Sequence, residues 1–231
     1  MQHTTIHLAG ETLSLLPAPA AWWATQRTLF VADIHLGKAE TFRASGVAAP
    51  PACTAHDLGR LASLIDTTGA RRLVILGDLL HARAGVTEAA APAFSAFADR
   101  TGPVETLLVR GNHDHAAGDP PASWITCVDA PFALGPFTLM HEPPEYDTPV
   151  QGVLCGHIHP VASLTSNFSR MRAACFWLTR GALVLPAFGV FTGGRRINAQ
   201  EGDRVFAVGP DRVAEVSITK PPRREAPSRT T

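Results

Sequence analysis

Five short clusters of carboxylate, carboxamide and imidazole side chains punctuate the chain, each directly after an apolar run. They read Asp33-Ile34-His35, Gly77-Asp78, Gly111-Asn112-His113-Asp114, His141 and Gly156-His157-Ile158-His159. The runs before them, residues 28–32, 73–76, 106–109, 137–140 and 153–155, are short and rich in Leu, Val and Phe, so they read as strands. This coupling constrains the fold: strands ending at one rim of a sheet bring all the clusters together. An Asp-x-His at a strand end puts both side chains on one face, because strand side chains repeat every two residues. Asp33 with His35, and His157 with His159, are therefore expected to grip ions in pairs, and the clusters hold ligands enough for two divalent cations.

The segments between the clusters point to an α/β fold. Residues 4–16 alternate around Gly10-Glu11 and read as a hairpin. Thr54 is placed to cap a helix carrying Leu58, Leu61, Leu64 and Ile65 at helical spacing, which ends at Gly69. Residues 87–100 read as a second helix, with Phe94 and Phe97 on one face. The order β-α-β-α-β to that point implies parallel strands with crossover helices. After Asn112, Pro and Gly become frequent and helical periodicity disappears. Strands are expected at 124–128, 137–140, 153–155, 173–178, 182–185, 204–208 and 213–218, mostly antiparallel. A single domain is expected over residues 1–219, followed by a disordered basic tail at 220–231.

Composition narrows the setting. With 20 basic and 20 acidic residues the formal net charge is zero, so nothing global steers the chain toward nucleic acid. Local charge from bound cations would do so instead, since two aspartates with two divalent ions leave about +2. The four cysteines, Cys53, Cys127, Cys155 and Cys175, form no CxxC pair and read as buried thiols. With no leader pattern and no apolar run of membrane-spanning length, a cytoplasmic protein is expected.

The pattern D-x-H, G-D, G-N-H-D, H, G-H-x-H resembles that of the calcineurin-like metallophosphoesterase superfamily. The resemblance implies a four-layer α/β/β/α sandwich, two mixed sheets flanked by helices. It assigns Asp33, His35 and His159 to one ion, Asn112, His141 and His157 to the other, and Asp78 to both. Oxygen and imidazole ligands without thiolate suit Mn, Fe or Zn. The resemblance also implies a metal-bridging hydroxide as nucleophile, with His113 protonating the leaving oxygen or steadying the phosphate. Asp114 is a candidate to orient His113. Many family members place an acidic residue three positions after the Gly-Asp aspartate, where this chain has His81. His81 is thus a further catalytic candidate whose role stays open between hydrogen bonding, phosphate contact and plain surface exposure.

Further stretches go beyond the superfamily pattern: Gly37-Lys38 after the first cluster, Leu79-Leu80-His81, Glu142-Pro143, Cys175-Phe176-Trp177-Leu178, and the run from Leu185 to Gly194. With them the chain resembles the bacterial ligase-associated DNA-damage-response endonuclease (PdeM) subfamily. That likeness implies a Mn-dependent endonuclease acting on single-stranded DNA in repair, beside a ligase, a helicase and another nuclease, with a homodimer in view. Candidate substrate contacts are Lys38, Arg43, Arg83, Thr192 and Gly193, with Arg170, Arg172, Arg180, Arg195 and Arg196 as outlying cations. Trp177 and Phe191 are weighed as base-stacking or core residues. Two other readings use the same fold: a phosphodiesterase or phosphatase for small molecules, and a non-catalytic scaffold.

Overall fold

The apolar runs of the N-terminal half pair with one another. The computed structural model describes residues 2–82, 91–102, 104–120, 125–145, 148, 150–165 and 170–217. The expected start of the second helix, Arg83 and the tail at 220–231 lie outside the described residues.

In the first sheet β1 (Thr4–Leu8), β2 (Glu11–Leu16), β3 (Ala20–Trp23), β4 (Thr28–Val31), β5 (Arg72–Leu76), β6 (Glu105–Val109) and β7 (Ile125–Val128) lie side by side in chain order. The strands from β1 to β4 form an antiparallel meander. From β4 to β7 the pairing is parallel. The crossovers carry α1 (Lys38–Ala44), α2 (Cys53–Thr68), α3 (Ala91–Thr101) and α4 (Asn112–Ala117). All the described helices precede Gly118.

The second sheet holds β8 (Phe132–Leu134), β9 (Phe137–Leu139), β10 (Val153–Cys155), β11 (Pro160–Thr165), β12 (Arg170–Thr179), β13 (Ala182–Val184), β14 (Arg195–Arg196), β15 (Arg204–Val208) and β16 (Val213–Val216). Its order is β14-β11-β12-β13-β10-β9-β8, with β15 also on β12 and β16 on β15. Most of its pairings are antiparallel, but β9, β10 and β13 run parallel. The strands that precede His141 and His157 are therefore parallel neighbours, as they are in the first sheet. The class is α/β with two mixed sheets, as the resemblance implied.

Why these runs are continuously apolar is visible in the two cores. Leu29, Val31, Leu73, Ile75 and Leu108 pack with Leu58, Leu61, Leu64 and Ile65 of α2. The residues between them, Phe30, Ala32, Val74, Leu76 and Val109, turn to the other face and meet Leu139, Leu154, Phe176, Leu185 and Phe206 of the second sheet. A strand buried on both faces shows no polar alternation. Sheet-on-sheet contact thus fixes one rim, at which strands of both sheets end.

Two local expectations are corrected. Thr54 does not cap α2: the residue before that helix is Ala52, and Thr54 lies inside the first turn. Its hydroxyl accepts the Gly37 N–H at 3.0 Å and donates to Glu40 at 3.2 Å, so it ties the start of α1 to α2. Of the run expected at 124–128, the described residues Ile125–Val128 join the first sheet as β7, parallel to β6, rather than the second sheet. The cysteines are all free, as expected. No described helix is long and apolar enough to cross a membrane.

Candidate metal centre

Each cluster begins within three residues of a strand's end: Asp33 after β4, Asp78 after β5, Asn112 after β6, His141 after β9 and His157 after β10. These ends are carboxyl ends of parallel strands, where open sheets present ligand sites. The expected strand-period geometry does not operate, however. Asp33 (φ 54°), His35 (51°), Asp78 (51°), His157 (68°) and His159 (48°) all adopt left-handed backbone. That conformation costs a non-glycine residue of order 1–3 kcal/mol and persists only where surroundings over-determine it. Here the main chain is held by Asp33 N–H to Gly77 O at 3.1 Å, and by His35 N–H to Asp78 O at 2.9 Å. The His157 N–H donates to Asp33 Oδ2 at 2.9 Å.

The side chains converge in three groups, Asp33 with His35 and His159, Asp78 with His141 and His157, and His35 with His81 and His113. In the first, His159 Nε2 lies 3.3 Å from Asp33 Oδ1 and 3.3 Å from His35 Nε2. In the second, His141 Nε2 lies 3.1 Å from both Asn112 Oδ1 and His157 Nδ1. Asp78 Oδ2 stands between these two groups, 3.6 Å from His35 Nε2 and 3.4 Å from His141 Nε2. The structure thus brings together all seven residues expected as ligands. The donor chemistry fits cations. Imidazole nitrogens face one another and carboxylates with too few protons to share, and the buried Asp33 Oδ1 has no hydrogen-bond partner.

Backbone without side chains makes room for these groups. A Cβ at Gly77 would lie 2.1 Å from His141 Nδ1, and one at Gly111 would lie 2.2 Å from Asp78 Oδ1. The carbonyl of Leu76 accepts the His141 Nδ1–H at 3.0 Å, which turns Nε2 inward. The histidines differ electrostatically. Burial pushes His35 down to about 3 against the pull of Asp78. Burial also works against a charge on His141, but the hydrogen bond and charge of Asp78, the Leu76 carbonyl and Asp33 lift it to about 9. Asp78 lies below its usual range: burial raises it, and His141, the His113 N–H and His35 outweigh burial.

His113 is a helical residue of α4, not an extended one, and its N–H donates to Asp78 Oδ1 at 3.0 Å. Its Nδ1–H donates to the main-chain oxygen of His81 at 2.8 Å. A carbonyl can only accept, so the bond fixes the tautomer and leaves Nε2 unengaged by it. The expected orienting role of Asp114 is corrected. Asp114 is fully buried, and its two oxygens take the N–H groups of Leu80 and Gly111, each at 3.0 Å. It pins the second and third clusters together, and burial raises its pKa against those bonds. His81 contributes to His113 through its main chain, and its ring stacks on that of His113 at 5.0 Å and 25°. Burial, then the neighbouring His113 and Lys38, lower the His81 pKa.

The candidate substrate contacts separate. Lys38 opens α1 beside the centre and donates to the carbonyl of Thr192 at 3.2 Å. Burial lowers its pKa, while Asp78 and Asp33 pull the other way. Gly193 is exposed next to Thr192. Arg43 is turned away, onto Glu40 and the carbonyls of Ala49 and Pro50. Arg172 donates to Gly194 O, while Arg195 and Arg196 are exposed on β14. Phe191 packs edge-on against Phe42. Arg83 lies outside the described residues, as does the side chain of Arg170. Sequence reasoning missed that residues 185–194 brace the first cluster. Phe188 N–H bonds Ala32 O at 2.8 Å and Gly189 N–H bonds Asp33 O at 3.2 Å. Asp57 of α2 holds Val190 N–H at 3.1 Å, and Arg60 holds Phe188 O at 3.1 Å. Gly189 was its signal, since a Cβ there would lie 2.2 Å from Ile34 O.

Comparison with known proteins agrees with this geometry. Residues 26–159 match the family model described as calcineurin-like phosphoesterase. The crystal structure of Pseudomonas putida nuclease MPE aligns with a TM-score of 0.79 at 39% identity, covering 93% of this chain and 100% of that one. Yfce, a phosphoesterase from E. coli, aligns over 83% of this chain and 99% of that one at 19% identity, with a TM-score of 0.41 that carries no argument. Among curated proteins none matches.

Proposed function

The chain belongs to the calcineurin-like phosphoesterase family, and from that premise we propose that it is a Mn-dependent endonuclease cutting single-stranded DNA in repair. The observation that carries the nucleic-acid reading is the 39% identity to a nuclease over 93% of the chain. The chain is a metal-dependent phosphoesterase with His and Asp groups fit for divalent cations. In the proposed centre Asp33, His35 and His159 would hold one cation, Asn112, His141 and His157 the other, with Asp78 serving both. The distances from Asp78 Oδ2 to His35 and His141, 3.6 and 3.4 Å, support that sharing. When bound, cations there would supply positive charge against the negative charge developing on phosphorus and lower the pKa of a water so that hydroxide is available as nucleophile.

The remaining chemistry belongs to the chain. His113, held at Nδ1 by the His81 carbonyl, offers Nε2 to the leaving oxygen and returns a proton to it when charged. His81 walls that ring on one side and keeps it from tilting. Lys38, held on the Thr192 carbonyl beside the exposed Gly193, receives a non-bridging phosphate oxygen or the next phosphate along the strand. The neighbouring free thiols support a reducing, cytoplasmic setting. A ligase, helicase or nuclease of repair would then act on the same strand ends. We place the whole activity in one domain over residues 1–219, whose two sheets share a core.

The test is a Mn-supplemented assay on circular single-stranded DNA beside bis-p-nitrophenyl phosphate. Linearised circles and released nitrophenol are expected. Release of nitrophenol alone would move the substrate to a small phosphodiester. Failure on both would remove the enzymatic reading.

A further inference from the structure

The outer face of the second sheet carries a cleft that the metal chemistry leaves unused. Val153, Cys155, Ala182 and Val184 turn outward there, with Val150, Ile158 and Trp177 packed on them. An open cleft of about 340 Å³ follows, within the roughly 300–1,000 Å³ of small-ligand sites. His157 lines it, while His157 Nδ1 lies 3.1 Å from His141 Nε2. The cleft therefore starts where the candidate centre ends, one side chain away.

Its chemistry selects a flat heterocycle over a phosphate. The Trp177 indole N–H donates to Asp203 at 3.0 Å, which locks the half-buried ring where it packs on the cluster of Val205 and Cys175 and lines the cleft. The buried Thr179 hydroxyl lining the cleft has no hydrogen-bond partner among the described residues. Glu142 and Glu145 stand at the cleft, where their oxygens accept from amino groups, and Arg180 lines it beside them, a cation for the phosphate that joins the base to the strand. Apolar walls, an aromatic ring and acceptors at the edge are what a nucleobase with an exocyclic amine requires.

We propose that this cleft is a base-binding subsite: the nucleobase flanking the scissile phosphate lies against Trp177 with its amino group toward Glu142 and Glu145. The subsite rests on the DNA reading above and gives it a place for the neighbouring nucleotide. It positions the strand by stacking, so it tolerates sequence while favouring amino-bearing bases.

The experiment compares a pentadeoxycytidylate with an abasic pentamer of the same charge, binding to EDTA-treated protein by fluorescence anisotropy. Wild type is expected to favour the base-bearing strand by about tenfold or more. Trp177→Ala is expected to erase the preference and Trp177→Phe to keep most of it. Val150→Asp, which polarises the cleft wall and keeps the indole itself, is expected to erase it too, and decides the matter should Trp177→Ala not fold. Equal binding of the two strands by wild type overturns the subsite, as does a preference surviving in Val150→Asp. Failure of the DNA reading looks different: Mn-loaded wild type then leaves circular single-stranded DNA uncut, which overturns both. Failure of the subsite alone leaves that DNA cut, with the same KM in wild type and variants.

Discussion

Replacing Gly111 by alanine isolates the packing behind the centre from its chemistry. The backbone there has φ −94°, which alanine adopts freely, so strain is not the issue. The added Cβ would lie 2.2 Å from Asp78 Oδ1 and 2.6 Å from the Asp78 nitrogen. Ordinary contact begins at 3.4 Å, so a displacement of 3.4 − 2.2 = 1.2 Å has to be found. The carboxylate cannot turn away cheaply, because Oδ1 also accepts the His113 N–H at 3.0 Å. Shifting α4 instead would carry Asn112 and His113 with it. Overpacking of this kind destabilises by about 1–3 kcal/mol. A misplacement of about 1 Å in a catalytic constellation costs on the order of 100-fold in rate. Hydrolysis of bis-p-nitrophenyl phosphate with Mn, beside a urea melt, reads both effects. Gly59→Ala is the control: nothing lies within 4 Å of its Cβ, and full activity is expected. A Gly111→Ala protein with kcat/KM within about threefold of wild type would refute the reasoning.

His113→Ala is expected to lower kcat by about 10²–10⁴ while Mn binding stays, and full activity would end its assigned role. Metal-free His141 sits at about 9, raised from 6.5, so it carries a proton at pH 7.5 that metal has to expel. Mn uptake should then release protons and tighten as pH rises toward about 9; calorimetry showing no dependence on buffer ionisation heat would contradict this. Saturating Mn near 100 Kd is expected to raise the melting temperature by about 5–10 °C over EDTA-treated protein, and an unchanged melt would show that the centre does not clasp the sheets. Asp114→Ala leaves the buried Leu80 and Gly111 N–H groups without their acceptor, so a urea melt should show a loss of roughly 1–3 kcal/mol or more.

The strands carrying the centre were legible because they are buried on both faces. Residues 29–31, 73–76 and 107–109 have little choice but to be apolar throughout, and the hairpin at 4–16 shows the opposite sign, clear alternation around a turn. The ligand types were legible for the same reason that they are useful: Asp, Asn and His have few other reasons to follow such runs. What stayed hidden depends on tertiary contact. Left-handed backbone at Asp33 or His159 has no local signature in a non-glycine residue, since it is imposed by neighbours such as Gly77 O and Asp78 O. The short helix α4 has no apolar periodicity, being built from Asn112-His113-Asp114-His115, so no helix was expected there. Within it the oxygens of Asp114 belong to the N–H groups of Gly111 and Leu80, which residue type does not announce. The partner His113 does have is a main-chain oxygen at His81, which side-chain identity cannot announce.

Each of the two ligand groups proposed for a cation draws on both sheets. Asp33 and His35 follow β4, yet His159 follows β10; Asp78 follows β5, yet His141 follows β9. A chain made from its N-terminus completes the parallel strands of the first sheet long before His159 emerges. Neither group is whole until the second sheet has begun to close on the first. Ribosomal order thus acts as a safety interlock: chains stopped before His141 carry three of the four side chains proposed for one cation and two of the four for the other, and are expected to leave phosphodiesters untouched.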